Sequence, residues 1–173
     1  MEYELAYRYA AASRLDEGAG LALATSGGST PEGEAAHPYF FSGFMERPDV
    51  VAAGLLAVAR VARTRFYVPP GMVVAPGGGL TRIGMLDPVV TSTAEGLRFE
   101  SFSVCCGVYA RLDVEASALD ATHCAVGVTN VDVNQPLRAA LASLRAGEPL
   151  HLGVGEEGLT ATTLDEEVTE EKV

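Results

Sequence analysis

Twice along this chain a period near 3.6 gives way to a period of 2, and that double change limits the folds available to it. The first helical stretch is "RPDVVAAGLLAVARVARTRF", in which Val51, Leu55, Val58 and Ala62 recur at three- and four-residue steps. Pro48 suits a first helical position, and Asp49 suits the positive end of the helix dipole. The second is "NQPLRAALASLRAG", with Asn134 as N-cap, Pro136 in the first turn and Gly147 as the stop. Its apolar face is Leu137, Ala140, Leu141 and Leu144. After the first come "DPVVTSTAEGLRFESFS" and "GVYARLDVE"; after the second comes "EPLHLGVGEEGLTATTLDEEVTEEKV". In these segments Leu97 and Phe99, then Val108, Ala110, Leu112 and Val114, then Leu150, Leu152 and Val154 alternate with polar or small residues, as half-buried strands do. Glu156, Glu157 and Gly158 read as a turn, with Leu159 opening a further strand.

The pattern is an internal duplication. One copy runs over 37–103 and the other over 107–173, each in the order β-α-β-β-β, with further strands in 1–36. The expected fold class is α+β: a curved antiparallel sheet with both helices on one face, in a single domain over 1–173. A chain of 173 residues, 48% of them hydrophobic, has enough apolar side chain for such a core.

The formal net charge of −11 opposes nucleic-acid binding, which depends on Lys and Arg displacing counterions from phosphates. The charge is segregated, however. Arg47, Arg60, Arg63, Arg65, Arg138 and Arg145 fall in the two helical stretches, whereas of the 23 acids only Asp49 does. Arg60, Arg63, Arg138 and Arg145 are therefore the candidate nucleic-acid contacts, Arg138 and Arg145 lying seven apart on one helix face. The longest apolar run, Val50 to Ala59, falls short of the ~20 residues that span a bilayer. The opening MEYELAYRYA lacks the basic n-region and apolar h-region of a signal peptide. With three cysteines, too few and odd for a disulfide framework, the expectation is a cytoplasmic protein that does not engage membranes.

The block "RFESFSVCCGVYARLDV" places Cys105 and Cys106 in a turn over Ser103 to Gly107 between two strands. The structural reading has one thiol packed inward and the other outward. Two site readings stand beside it: zinc held with His123 and Cys124, against which the adjacent-pair spacing counts, and a cysteine nucleophile served by His123. No metal ligand, cofactor or catalytic residue is assigned on that basis. "TSGGST", Thr25 to Thr30, reads as a flexible turn and lacks the G-K-[ST] of a phosphate loop. The stretch from Pro69 to Gly84 reads as a long loop suited to contacting a partner, and the acidic end "LDEEVTEEK" as a charged edge strand. Tyr39, Phe40, Phe41 and Phe44 read as core.

The duplicated β-α-β-β-β pattern resembles the domain of DNA sliding clamps, in which paired helices lie on a curved sheet and carry the basic residues that face DNA. A second resemblance covers nearly the whole chain. The strings "LATSGG", "HPYFFSGF", "LLAVARVARTRF", "DPVVTS", "LRFESFSVCCGVYARLD", "TNVDVNQPLRAAL" and "EPLHLGVG" look like the region N-terminal to the zinc finger in bacterial SWIM zinc-finger family proteins. That resemblance implies a DNA- or protein-binding role beside MoxR-type AAA+ ATPases and von Willebrand A domain proteins. The family's C-x-C…C-x-H chelating module has no counterpart in these residues, so zinc binding carries over to none of them. The expected function is a non-catalytic adaptor docking protein partners, with homo-oligomerisation open. The alternatives are a clamp-like DNA-binding module using the four arginines and a cysteine-dependent enzyme.

Overall fold

A proline at the first helical position, an acid in the first turn and two arginines in the last define α1 (Pro48–Arg63) in the computed structural model, which describes residues 9, 11–16, 20–66, 87–145 and 147–155. Val51, Leu55, Val58 and Ala62 are all buried, as the spacing predicts. In α2 (Gln135–Ser143) the Asn134 side chain accepts a hydrogen bond from the Leu137 N–H at 2.9 Å. Leu137 and Leu141 point into the core. The helix ends earlier than expected. Leu144 turns to an extended conformation, and Gly147, at φ +87°, belongs to the next turn, in which the Glu148 N–H donates to the Arg145 carbonyl. Arg145 therefore lies beyond α2, and its seven-residue spacing from Arg138 does not put the two on one helix face.

The fold is mixed α+β, mostly strands, with two helices and two sheets among the described residues. The strands are β1 (Arg14–Asp16), β2 (Gly20–Leu23), β3 (Thr25–Thr30), β4 (Gly33–Ala35), β5 (Phe41–Met45), β6 (Val89–Thr93), β7 (Gly96–Phe102), β8 (Tyr109–Glu115), β9 (Leu119–Cys124), β10 (Gly127–Val131) and β11 (Leu150–Val154). One sheet has the order β1-β2-β11-β5-β9 and the other β4-β3-β10-β6-β7-β8. This departs from a single antiparallel sheet. The chain changes sheet between Leu23 and Thr25, and β2 runs parallel to β11. Each helix is also a crossing between sheets: α1 joins β5 to β6, and α2 joins β10 to β11. The pairings are reciprocal. β5, before α1, pairs with β11, after α2; β10, before α2, pairs with β6, after α1.

The strand patterns translate into burial as their parity requires. Leu150, Leu152 and Val154 on β11, Leu97 and Phe99 on β7, and Val114 on β8 enter a core shared with both helices. "TSGGST" is not a turn but strand β3, between β4 and β10. Its hydroxyl neighbourhood explains why polar residues are tolerated there: buried Thr129 donates from Oγ1 to the Ser26 carbonyl at 2.9 Å, and Thr25 from Oγ1 to the Pro38 carbonyl at 3.0 Å. Of the aromatic run, Phe40 and Phe41 are fully buried, while Tyr39 and Phe44 are half-buried and pack against histidines instead. The Pro69 to Gly84 stretch, the turn at Glu156 to Gly158 and the acidic end lie outside the described residues. Among the described residues, no helix is long and apolar enough to cross a membrane.

Candidate functional site

Three groups of side chains bear on function: the helix arginines, the cysteines with His123, and the outward face of the β7–β8 hairpin. Arg60 and Arg63 lie one turn apart on α1, and both are exposed. Arg63 is already engaged, its Nη2 2.8 Å from Asp87 Oδ1 and 3.4 Å from the Val133 carbonyl, just ahead of α2. Arg138 is only half exposed, and its Nε is buried with no partner among the described residues. Arg145, past the helix end, is exposed. The two helices pack together. Of the four, Arg63 is thus held in an ion pair, and Arg138 has its Nε packed out of solvent.

Cys105 and Cys106 occupy the tight connection the sequence indicates. The Ser103 carbonyl accepts the Cys106 N–H at 2.7 Å, and the Ser103 N–H donates to the Val108 carbonyl at 2.8 Å. Buried Ser103 also accepts the Val108 N–H on Oγ at 3.0 Å. Cys105 is half-buried and Cys106 exposed, which is the inward-and-outward arrangement of the structural reading. Cys124 lies elsewhere. Its Sγ is 3.6 Å from the Thr93 carbonyl, and Thr93 pairs with Gly96 at the start of β7, whereas Cys105 follows the end of that strand. Seven strand residues at about 3.4 Å each separate the two ends by roughly 20 Å. Neither the zinc set nor a Cys105–His123 pair is brought together, and no group of three His, Cys, Asp or Glu side chains poised for a metal occurs among the described residues. His123 instead stacks on Tyr39, ring centroids 4.3 Å apart.

Two further arrangements emerge only in the fold. On the outer face of the β5 sheet, buried His151 lies 3.1 Å from Ser42 Oγ through Nε2 and edge-on to Phe44. Burial away from water holds its pKa below the ordinary histidine value, so the ring is neutral near pH 7. His151 sits at an alternating position in an apolar strand, which is the only signal the sequence carries for it. The second arrangement is the outer face of β7 and β8. There Asp113 accepts from Arg111 and from Arg98, the latter at 2.8 Å, and these hydrogen bonds hold its carboxyl below the usual range. Tyr109 donates to Glu100, whose carboxylate raises the phenol pKa. Arg98, Arg111 and Asp113, with Thr91, Glu95 and Glu115 among others, line an open groove of about 730 Å³. No family model, curated protein or solved structure matches the chain. At the far end of the hairpin Phe102 and Tyr109 pack together with centroids 5.0 Å apart, yet remain 48% and 46% exposed. The Val104 N–H donates to the Thr64 carbonyl at 2.9 Å, tying this end to the segment after α1, where Phe66 is 55% exposed.

Proposed function

We propose that this chain is a non-catalytic interaction domain that docks a protein partner on the exposed aromatic end of the β7–β8 hairpin. The observation that carries the reading is the Phe102–Tyr109 pair, half exposed and yet fixed by the Ser103 turn beneath it. Rigid aromatic side chains ringed by charged groups are what protein interfaces use as anchors, because they bury large area while losing few rotamers. The SWIM zinc-finger resemblance supplies the partner class, a MoxR-type AAA+ ATPase or a von Willebrand A domain protein. The test is titration of such proteins with the wild-type chain and with Phe102→Ala/Tyr109→Ala. Loss of about 2 kcal/mol, some thirtyfold in affinity, is expected for a hot-spot pair. Unchanged affinity in the double variant rejects the site.

A clamp-like DNA-binding module is the second reading. In its favour are the contact between α1 and α2 and the reciprocal pairing of strands around them, which suits two β-α-β-β-β repeats. Arg60 and Arg145 are both exposed and outside the ion pairs found among the described residues, and of the two only Arg60 lies on a helix, as this role requires. DNA binding measured at several salt concentrations decides the matter. The clamp reading requires binding that weakens steeply with salt, with Arg60→Ala lowering the salt slope by about one and Arg63→Ala by less. Absence of binding at low salt removes it.

A further inference from the structure

The larger sheet ends, at the β8 side, in a strand with regular outward peptide groups. β8 is the last strand of that sheet among the described residues. At its two ends the Val108 carbonyl accepts from Ser103 and the Ala116 N–H donates to Glu95 at 2.8 Å, so even-numbered residues direct their peptide groups toward β7. By alternation, Tyr109, Arg111, Asp113 and Glu115 direct theirs away from the sheet. All four side chains are exposed. β8 has no proline, lysine or bulge, and its pairing with β7 is regular, so its outward peptide groups stay in line; its charges, Arg111, Asp113 and Glu115, admit only a partner strand of matching charge order.

The flank of α1 above this edge is apolar. Gly54 faces β8: a Cβ built there would lie 2.8 Å from the Leu112 methyl carbons. Val50, Ala57 and Val61 fall on the same side of the helix at three- and four-residue steps from Gly54. Val50 is 46% exposed, Ala57 is exposed, and Val61 is half-buried. The opposite flank carries Arg63, which reaches Val133 beside α2. An apolar strip of small residues therefore runs along this side of the sheet, level with the edge that β8 forms among the described residues.

We infer that two copies of this chain associate through an antiparallel β8–β8 pairing centred on Leu112, with the Val50–Gly54–Ala57–Val61 flanks of α1 in contact across the two-fold axis. Charge selects the register. Centring on Leu112 sets each Arg111 opposite Asp113 of the second copy, and Tyr109 opposite Glu115. Centring on Arg111 or Asp113 would oppose like charges. The parity is also correct, because Arg111 and Asp113 carry the outward peptide groups that would form the hydrogen-bonded pairs. On the inner face, half-buried Ala110 and Leu112 would meet Val114 and Leu112 of the second copy.

The spacing agrees independently. α1 packs on β7 and β8, so its axis lies about one strand spacing, ~4.8 Å, from a dyad passing beyond β8. Two such helices would stand about 10 Å apart, within the usual range for packed helices and suited to small residues at the contact.

The experiment is sedimentation of the full chain across micromolar concentrations, with folding checked by circular dichroism. Ala57→Glu places carboxylates against each other at the dyad, on a helix position exposed in the single copy. Arg111→Asp opposes acids across the strand pair. Each is expected to raise the dimer Kd on the order of tenfold or more, and Arg111→Asp combined with Asp113→Arg is expected to recover much of the loss. Ala57 lies on the face of the sheet opposite Phe102, so partner binding by the Ala57→Glu variant stays intact and the two readings fail separately. A wild-type chain that remains a monomer overturns the inference. A dimer whose affinity is unmoved by either single variant overturns it equally, because the contact then lies elsewhere.

Discussion

At the scale of single residues, Cys106 concentrates the strain of the hairpin turn. It is the one non-glycine residue with positive φ, +56°, among the described residues, a conformation costing about 1–2 kcal/mol for an L-residue with a Cβ. Cys106→Gly is therefore expected to keep or raise stability, by up to about 1 kcal/mol in chemical denaturation, since glycine's unfolded-state entropy takes back part of the relief. Ser103→Ala should do the reverse, losing about 1–3 kcal/mol, because the buried Val108 partner is removed and the turn opens. His151 sets a pH dependence. Its pKa in the fold is held below 6.5, so the unfolded chain binds the proton more readily and stability falls as pH drops below about 6.5. Denaturation midpoints between pH 7.5 and 5 should decline for the wild type and flatten for His151→Gln. The cysteine turn was legible in the sequence because a break between two alternating runs admits few other conformations. The burial of His151 was not, because an imidazole at an alternating position looks the same whether its face is open or covered.

At the scale of elements, caps and hairpin turns supply the local instructions. Asn134 holds the α2 N-terminus through Leu137, while its Nδ2 donates to the Ser13 carbonyl and to Asp132, so the cap also fastens the chain ahead of β1. Asn134→Ala is expected to cost about 1–2 kcal/mol, measured by thermal or urea unfolding. Gly96 closes the β6–β7 hairpin at φ +138°, and an added Cβ would sit 2.1 Å from the Val114 carbonyl oxygen. Gly96→Ala should cost about 3 kcal/mol or more, as the backbone of β8 must move to admit it. Both helices and the β7, β8 and β11 alternations follow from period and capping, and their core faces are those the spacing predicts. β3 escaped because "TSGGST" has the composition of a turn, and its strand conformation is stabilised by β10 and β4 rather than by its own preferences. The apolar spacing continues through Leu144, but the backbone leaves the helix after Ser143, so the end of α2 lies ahead of the Gly147 stop that the sequence suggests.

At the scale of the whole molecule, the arginine distribution acquires a different meaning. In the sequence four arginines on two helices look equivalent; in the fold Asp87 neutralises Arg63, packing withdraws the Arg138 Nε, and Arg60 and Arg145 stay exposed. With a net charge of −11 around them, exposed arginines in a single copy form a weak field for phosphates beyond a Debye length of about 10 Å. The β8 dimer changes this scale by bringing two copies of α1 side by side. If DNA is bound, its affinity should rise with dimer population, and Ala57→Glu should weaken DNA binding and self-association together. DNA affinity independent of protein concentration would separate the two surfaces.

What the sequence alone determined is what depends on near neighbours: where the helices start, which faces of helix and strand are apolar, and that Cys105 and Cys106 occupy a turn. Those features rest on hydrogen bonds and side-chain spacings within a few residues, so a short window contains their cause. Only the tertiary structure decided that the strands divide between two sheets, that β2 runs parallel to β11, that Cys124 lies a strand's length from Cys105, and that β8 is the last strand of its sheet among the described residues. Period-2 strands are nearly interchangeable as partners, and the choice among them is made by how distant segments fill one core around α1 and α2.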